Sequence, residues 1–369
     1  MNPTIHHFFG PSSSLKEALQ ARVDRFFAAT GRSRYADARM YAKSAILLAW
    51  FGVCYYGLVF RATTPWQGIL AAVALGLALA GIGFNIQHDG NHGSFSKHGW
   101  VNLLAGSTMD LLGASSYLWI QKHNLAHHTY TNIPESDEDI EIHPLGRLAP
   151  DDPYYAFHRY QHLYLWLVYA LLPAQVHFYN DFKKLWSGKI SSRTFPRPRG
   201  LELARLVAGK LAFVAWAFVI PCLYHRIWVV GVFYFATTAV MGVVLSVVFQ
   251  LAHSVEEVEH PALGQVMRSE WVRHQIETTA EFARGSRLVT WYLGGLNFQT
   301  THHLFPKVCH VHYPRLSRII ERVCRRHGVE YRTQPSFSGA VRSHYRFLRR
   351  LAEPPTANVP PTTVVGAGL

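Results

Sequence analysis

The stretch WQGILAAVALGLALAGIGFNIQHDGNH, residues 66–92, carries no charged side chain from Trp66 to Gln87 and then ends on His88 and His92. A bilayer core requires about 20 apolar residues of helix. An ionisable side chain at that depth is costly and marks function by default. This one stretch therefore predicts both a membrane span and a polar site built at its end.

The same pattern extends along the chain. Residues 43–61, KSAILLAWFGVCYYGLVFR, form a preceding apolar run, and only ATTP separates the two. Longer apolar segments recur at 160–178, 206–223 and 227–252, with a weaker one at 100–119 that Asp110 interrupts. Of the 369 residues, 49% are hydrophobic and 16% charged, against about 25% charged in soluble domains. The formal net charge is +13. The basic residues flank apolar runs, which suits anionic lipid headgroups and argues against nucleic acid as a partner. Cys54, Cys222, Cys309 and Cys324 form no CxxC pair, so no disulfide framework is expected. The N-terminus, MNPTIHHFFGPSSSLKEALQ, has no cleavable apolar core.

Three histidine clusters stand out: HDGNH (His88, His92), HNLAHH (His123, His127, His128) and QTTHH (His302, His303). On a helix, positions i and i+4 share a face with Cβ atoms about 5–6 Å apart. Two imidazoles so placed reach one metal or two neighbouring ones. His253, ending the run VVLSVVFQLAH, is an eighth candidate ligand. Eight imidazoles exceed the four ligands of a structural zinc, and two metals fit the count. A nitrogen-rich site opening from a membrane points to iron and dioxygen chemistry on an apolar substrate. His6, His7, His98, His143, His158, His225, His274, His310, His312, His327 and His344 are read as polar groups at wet boundaries, and Glu257–His260 as an accidental ExxH string.

If the clusters meet at one site, an even number of spans must separate them. Segment 100–119 then does not cross. Segment 160–178, with His162, Pro173 and His177, is interfacial or re-entrant. The expectation is an all-α integral membrane protein with four transmembrane helices in two hairpins (about 43–61, 66–87, 206–223, 227–252), interfacial or re-entrant helices, and a histidine-rich cytoplasmic di-iron cap. Residues 1–42 are a lead-in with a helix near Ser14 and Glu17. Residues 43–345 form the membrane domain and 346–369 a disordered tail. Lys16, Arg22, Arg25, Arg32, Arg34, Arg39 and Lys43 lie before the first span, and Lys183 to Arg205 are rich in Lys and Arg. The positive-inside rule places termini and histidines in the cytoplasm, at a bacterial inner membrane or the endoplasmic reticulum.

The three boxes in this order between apolar hairpins resemble the membrane fatty-acid desaturase family, over residues of about 40 to 340. HHTYTNIPESDEDI, QLAHSVEEVEHP and GGLNFQTTHHLFP agree with it, and Gln299 at the head of the third box resembles front-end and acyl-lipid members. The resemblance implies an O2-dependent di-iron enzyme that places a cis double bond in a fatty acyl chain carried on a lipid, coenzyme A or carrier protein. It implies His88, His92, His123, His127, His128, His302 and His303 as catalytic iron ligands, with His253 a further ligand. Gln299 and Asp89 would bind the cofactor or orient its ligands, as would Asp137 and Asp139, while Trp119 and Asn297 would line the acyl path. The His-Pro-Gly-Gly motif that marks the fused haem domain of many relatives is not found in this sequence, so no haem is expected on this chain. Electrons would come from a separate ferredoxin or cytochrome b5. Many relatives read QxEHH where this chain has Thr301. Hydroxylation, triple-bond formation, or sphingoid or carotenoid substrates are alternatives at the same iron site. A histidine-rich metal transporter is a different class, disfavoured because the spans hold almost no mid-span charge apart from Lys210.

Overall fold

The computed structural model describes residues 9–10, 14–263 and 269–354. His6, His7 and most of the expected tail lie outside the described residues.

Among the described residues four helices are long and apolar enough to cross a membrane: α2 (Ala38–Arg61), α3 (Pro65–Asn91), α7 (Gly200–Cys222) and α8 (Ile227–His253). They are preceded by α1 (Ser14–Thr30), of which Ser14 is already part. Between α3 and α7 lie α4 (Gly99–Leu111), α5 (116–130) and α6 (161–187). After α8 come α9 (Trp271–Glu277), α10 (Arg287–Tyr292), α11 (Gln299–Leu304), α12 (Tyr313–Arg326) and α13 (Phe337–Leu351). Two small two-stranded ladders complete the described part: antiparallel Lys189–Ile190 with Arg193–Thr194, and parallel Glu281–Phe282 with Thr333–Gln334.

Local chemistry sets the span boundaries. The Asp37 carboxylate accepts the Arg39 and Met40 N–H groups at the start of α2. Thr64 and Gln67 form a reciprocal capping box at α3, with Pro65 in the first turn. The span surfaces differ sharply in burial. In their most apolar windows α3 is 67% buried, whereas α2 and α7 are 22% and 17% buried. Val53, Leu70, Leu211 and Ile227 stand exposed. So α3 is the central span, and α2 and α7 present apolar surface that hydrocarbon, not water, would cover.

Segments 100–119 and 160–178 form α4, the first turn of α5, and part of α6, and none of these is among the helices both long and apolar enough to cross. The third and fourth spans are joined by a short turn, but their main partners differ. α8 packs on α3 and α6, while α7 packs on α4. One apolar core joins α2, α3 and α8 to α13, and a second joins α1, α9 and α12.

Close backbone approach brings α3 to the site. A Cβ on Gly90 would meet the Gly106 nitrogen at 2.4 Å, so the HDGNH turn can lie on α4 only without a side chain there. Gly294 has φ +59°, and a Cβ there would reach the Phe84 carbonyl oxygen at 2.3 Å. That packing holds the loop before α11 against the end of α3.

Candidate metal centre

The polypeptide winds wider where the first two boxes form. Residues Gly83–Gln87 and Ile120–His127 are π-helical, a local distortion that clusters at functional sites. The first delivers His88 and His92 from the end of α3. The second delivers His123, His127 and His128 from α5. His253 closes α8, and His302 and His303 lie in α11.

These elements bring all eight histidines together. One ring nitrogen each of His88, His92, His123 and His302 lie within 4.8 Å of one another, and the same holds for His127, His253 and His303. His128 stands between the groups. Its ring centroid is 4.9 Å from His92, 4.6 Å from His302 and 4.3 Å from His303, and its Nε2 is 3.2 Å from His123 Nε2. His88 and His92 join one group; His123 belongs to the first group and His127 to the second, and both also come within 4.8 Å of an Asp139 oxygen.

The outward nitrogens are anchored. His127 Nδ1 is 2.9 Å from an Asp137 carboxylate oxygen, His303 Nδ1 is 2.7 Å from Gln275 Oε1, and His302 Nδ1 is 3.1 Å from the Tyr313 hydroxyl. Asp137 also accepts the Asn132 and Asp139 N–H groups, and Asp139 pairs with Lys122. Gln275 and Asp137 can only take the proton of an Nδ1–H, which leaves Nε2 as the lone-pair nitrogen. Gln299 presents its amide 2.9 Å from His253 Nε2, so it sits against the second group. Trp119 stacks on His123 at 4.2 Å. Asn297 donates to the Phe282 carbonyl and the Thr290 hydroxyl.

Many of the remaining ring nitrogens are bare. His88 Nδ1 and Nε2, the Nε2 atoms of His92, His127, His302 and His303, and the Nδ1 atoms of His128 and His253 are buried without a hydrogen-bond partner. Leaving one buried polar atom unpaired costs about 1–3 kcal/mol, so such a concentration is stable only if something electrophilic takes the lone pairs. Burial, reinforced by neighbouring imidazoles, holds His92, His123, His128, His302 and His303 well below the usual histidine range. These rings are neutral and available as ligands. His127 goes the other way: burial, the largest single effect, opposes its charge, but the Asp137 and Asp139 carboxylates together outweigh it and raise the ring. The residues present fit transition-metal ions held by imidazole, with carboxylate, amide and phenol groups setting ring orientation.

Sequence reasoning missed several residues. Gln275, Tyr313 and His310 are single residues outside the boxes. His310 was read as a wet-boundary histidine, yet it is 2% exposed and lies 2.9 Å from Asp89. His158, His274, His312 and His344 are buried too. His158 meets the Pro144 carbonyl, and His344 meets Tyr169 and the Ser254 carbonyl. The burial reflects internal hydrogen-bond partners that sequence spacing does not reveal. Glu257 and Glu259 turn to Ser343 and Arg332, away from the imidazoles. An apolar cavity of about 440 Å³ lies among α2, α3, α7 and α8, lined by Leu75, Leu79, Phe213, Trp216 and Met241. None of the eight histidines lines it, so it is distinct from the metal centre.

A model of the fatty acid desaturase family matches residues 63–335. The chain is 37% identical to an sn-1 linoleoyl-lipid 6-desaturase of Arthrospira platensis, over 96% of this chain and 98% of that relative. It is 36% identical to an sn-1 linoleoyl-lipid 6-desaturase of Synechocystis, over 94% and 97%. It is 33% identical to an acyl-lipid (8-3)-desaturase of Physcomitrium patens, over 90% of this chain and 70% of that relative.

Proposed function

The chain belongs to the fatty acid desaturase family, and from that premise we propose that it is an acyl-lipid desaturase that uses O2 and two irons to place a cis double bond near the carboxyl end of a lipid-bound chain. The position after carbon 6 is suggested by the names of two relatives that align with nearly the whole chain. The overall balance is one –CH2–CH2– unit, O2, two electrons and two protons giving –CH=CH– and two waters. The two external electrons come from a separate ferredoxin or cytochrome b5, for which basic surface offers a docking partner. The protein is an integral membrane protein, with termini and metal centre proposed on the cytoplasmic side of its membrane.

The observation that carries this reading is the set of bare, buried imidazole nitrogens between elements that the family's three boxes supply. His88, His92, His123 and His302 would hold one iron; His127, His253 and His303 would hold the other, with His128 between and Gln299 at the second group. A bound iron pair supplies the oxidising power, drawn from O2, that removes hydrogen from an unactivated methylene. The chain supplies orientation and dryness. Asp137 and Gln275 hold His127 and His303 of the second group, and Tyr313 holds His302 of the first, each by its Nδ1 so that Nε2 is left for metal. Burial of every ring excludes bulk water from the reacting centre. Asp139, paired with Lys122, adds negative charge beside His127.

The test is the fatty-acid profile of a host that supplies ferredoxin and its reductase, with double bonds located by mass spectrometry. A new unsaturated acid is expected with the intact chain and absent with His302→Ala/His303→Ala. An oxygenated product, or none from an iron-loaded, reduced enzyme, would refute desaturation.

A further inference from the structure

Beside the first histidine group lies a second buried polar cluster that the proposed chemistry does not use. Asp89, Cys309 and His310 could by spacing alone hold a metal ion. The surroundings argue otherwise. The Lys43 ammonium, 6% exposed, sits 2.9 Å from His310 Nε2 and 2.9 Å from Asn85 Oδ1. With Asp89 on His310 Nδ1 and Lys43 on Nε2, both ring nitrogens are already engaged and His310 has no lone pair free for an ion.

Donor chemistry fixes every proton in this chain. An ammonium only donates, so His310 Nε2 must accept from Lys43. His310 therefore carries its ring proton on Nδ1 and donates it to Asp89 Oδ2, 2.9 Å away. The His310 backbone N–H also points to that oxygen at 3.4 Å. The other Asp89 oxygen is left 3.9 Å from His88 Nδ1, and His88 has no hydrogen-bond partner on either nitrogen. Asn85 is in turn locked by the Gly81 and Tyr292 carbonyls. The row Lys43–His310–Asp89–His88 thus links the first membrane helix, the segment after the third box and the first box.

We propose that Lys43 and His310 are positioning residues of the metal centre: they hold the Asp89 carboxylate 3.9 Å from His88 Nδ1, beyond hydrogen-bond reach, where its negative charge favours the proton on Nδ1 and leaves His88 Nε2 to the first group. This rests on the metal centre proposed above. Removing Lys43 or His310 frees Asp89 to turn away from His88, while the His127–His253–His303 group has its own anchors and is untouched.

The test compares purified full-length protein in detergent with Lys43→Met, His310→Phe and His310→Gln variants. Iron per chain is measured under graded chelator, with iron-57 Mössbauer spectra. His88→Ala and His253→Ala serve as references for losing each group's iron. Loss of an outer partner typically weakens metal binding about 10–100-fold. Lys43→Met and His310→Phe should therefore drop from two irons to one at chelator levels the parent resists, losing the spectral component that His88→Ala loses. Gln at 310 can accept from Lys43 and donate to Asp89, so His310→Gln should keep both irons. If Lys43→Met does not fold, the Phe–Gln contrast at 310 still decides. Parent-like retention in every folded variant, equal loss from both groups, or Gln behaving as Phe would overturn the proposal. Parent protein without iron would instead sink the metal centre on which it rests.

Discussion

Asp137→Asn should strip the second metal group while leaving the first in place. Asp137 is fully buried, and one of its oxygens accepts from both His127 Nδ1 and the Asn132 backbone N–H, while the other accepts from Asp139 N–H. An asparagine of the same shape has one oxygen for these two places. Whichever way the amide turns, an N–H faces an N–H, and the charge that draws the His127 proton outward is gone. The expected cost is about 10–100-fold in affinity for the ion held by His127, His253 and His303, or about 1.4–2.8 kcal/mol. The pH dependence gives a second signature. His127 is raised above its ordinary value of 6.5 in the fold. Its contribution to the stability of metal-free protein is therefore complete below about 6.5 and lost as pH rises through the higher folded value. Metal binding needs the neutral ring, so iron retention in the parent should improve across that same window. In Asp137→Asn both pH dependences should shift to lower pH. The assays are chelator titration with iron counting, and thermal melting of metal-free protein from about pH 6 to pH 9. A folded variant with parent affinity for both irons and an unchanged pH profile would refute the reasoning.

Other perturbations follow from the same structure. Tyr313→Phe removes the hydroxyl 3.1 Å from His302 Nδ1 and leaves a buried ring nitrogen unpaired, so melting should show a loss of about 1–3 kcal/mol and product formation should slow at unchanged protein level. Gly90→Ala puts a methyl group 2.4 Å from the Gly106 nitrogen; overpacking of at least about 1–3 kcal/mol should appear as a lower melting temperature and loss of iron. Glu281 is fully buried beneath Thr301, held by the Thr301, Ser317 and Tyr331 hydroxyls, and burial raises its carboxyl above the ordinary value of 4.5. The stability it confers is present below 4.5 and lost as pH rises through the folded value. Glu281→Gln should therefore flatten the decline in melting temperature above about pH 4.5.

The parts of the fold that were legible in sequence are those written in one local stretch. Span-length apolar runs announce themselves because a bilayer sets their length, and the central role of α3 follows from its carrying the first box. The histidine boxes were legible because their spacing is short-range, and Asp137 because it trails the second box closely. The anchors were not. Gln275 and Tyr313 each contribute one ordinary side chain that tertiary packing carries to a ring 28 and 11 positions away. His310 meets Asp89 across 221 positions. Lys43 was counted as one more positive charge before the first span, whereas the end of α3 and the segment after α11 bury it beside His310. The different packing partners of α7 and α8 were equally hidden, since hydropathy gives the length of a helix and says nothing of which neighbour it meets.

The most direct measurement is an anomalous difference map at the iron absorption edge from crystals of the full-length protein grown with ferrous iron. Two peaks should appear, one among His88, His92, His123 and His302 and one among His127, His253 and His303, with none at Asp89, Cys309 and His310. A single peak, or a peak beside His310 in place of Lys43, would contradict the account.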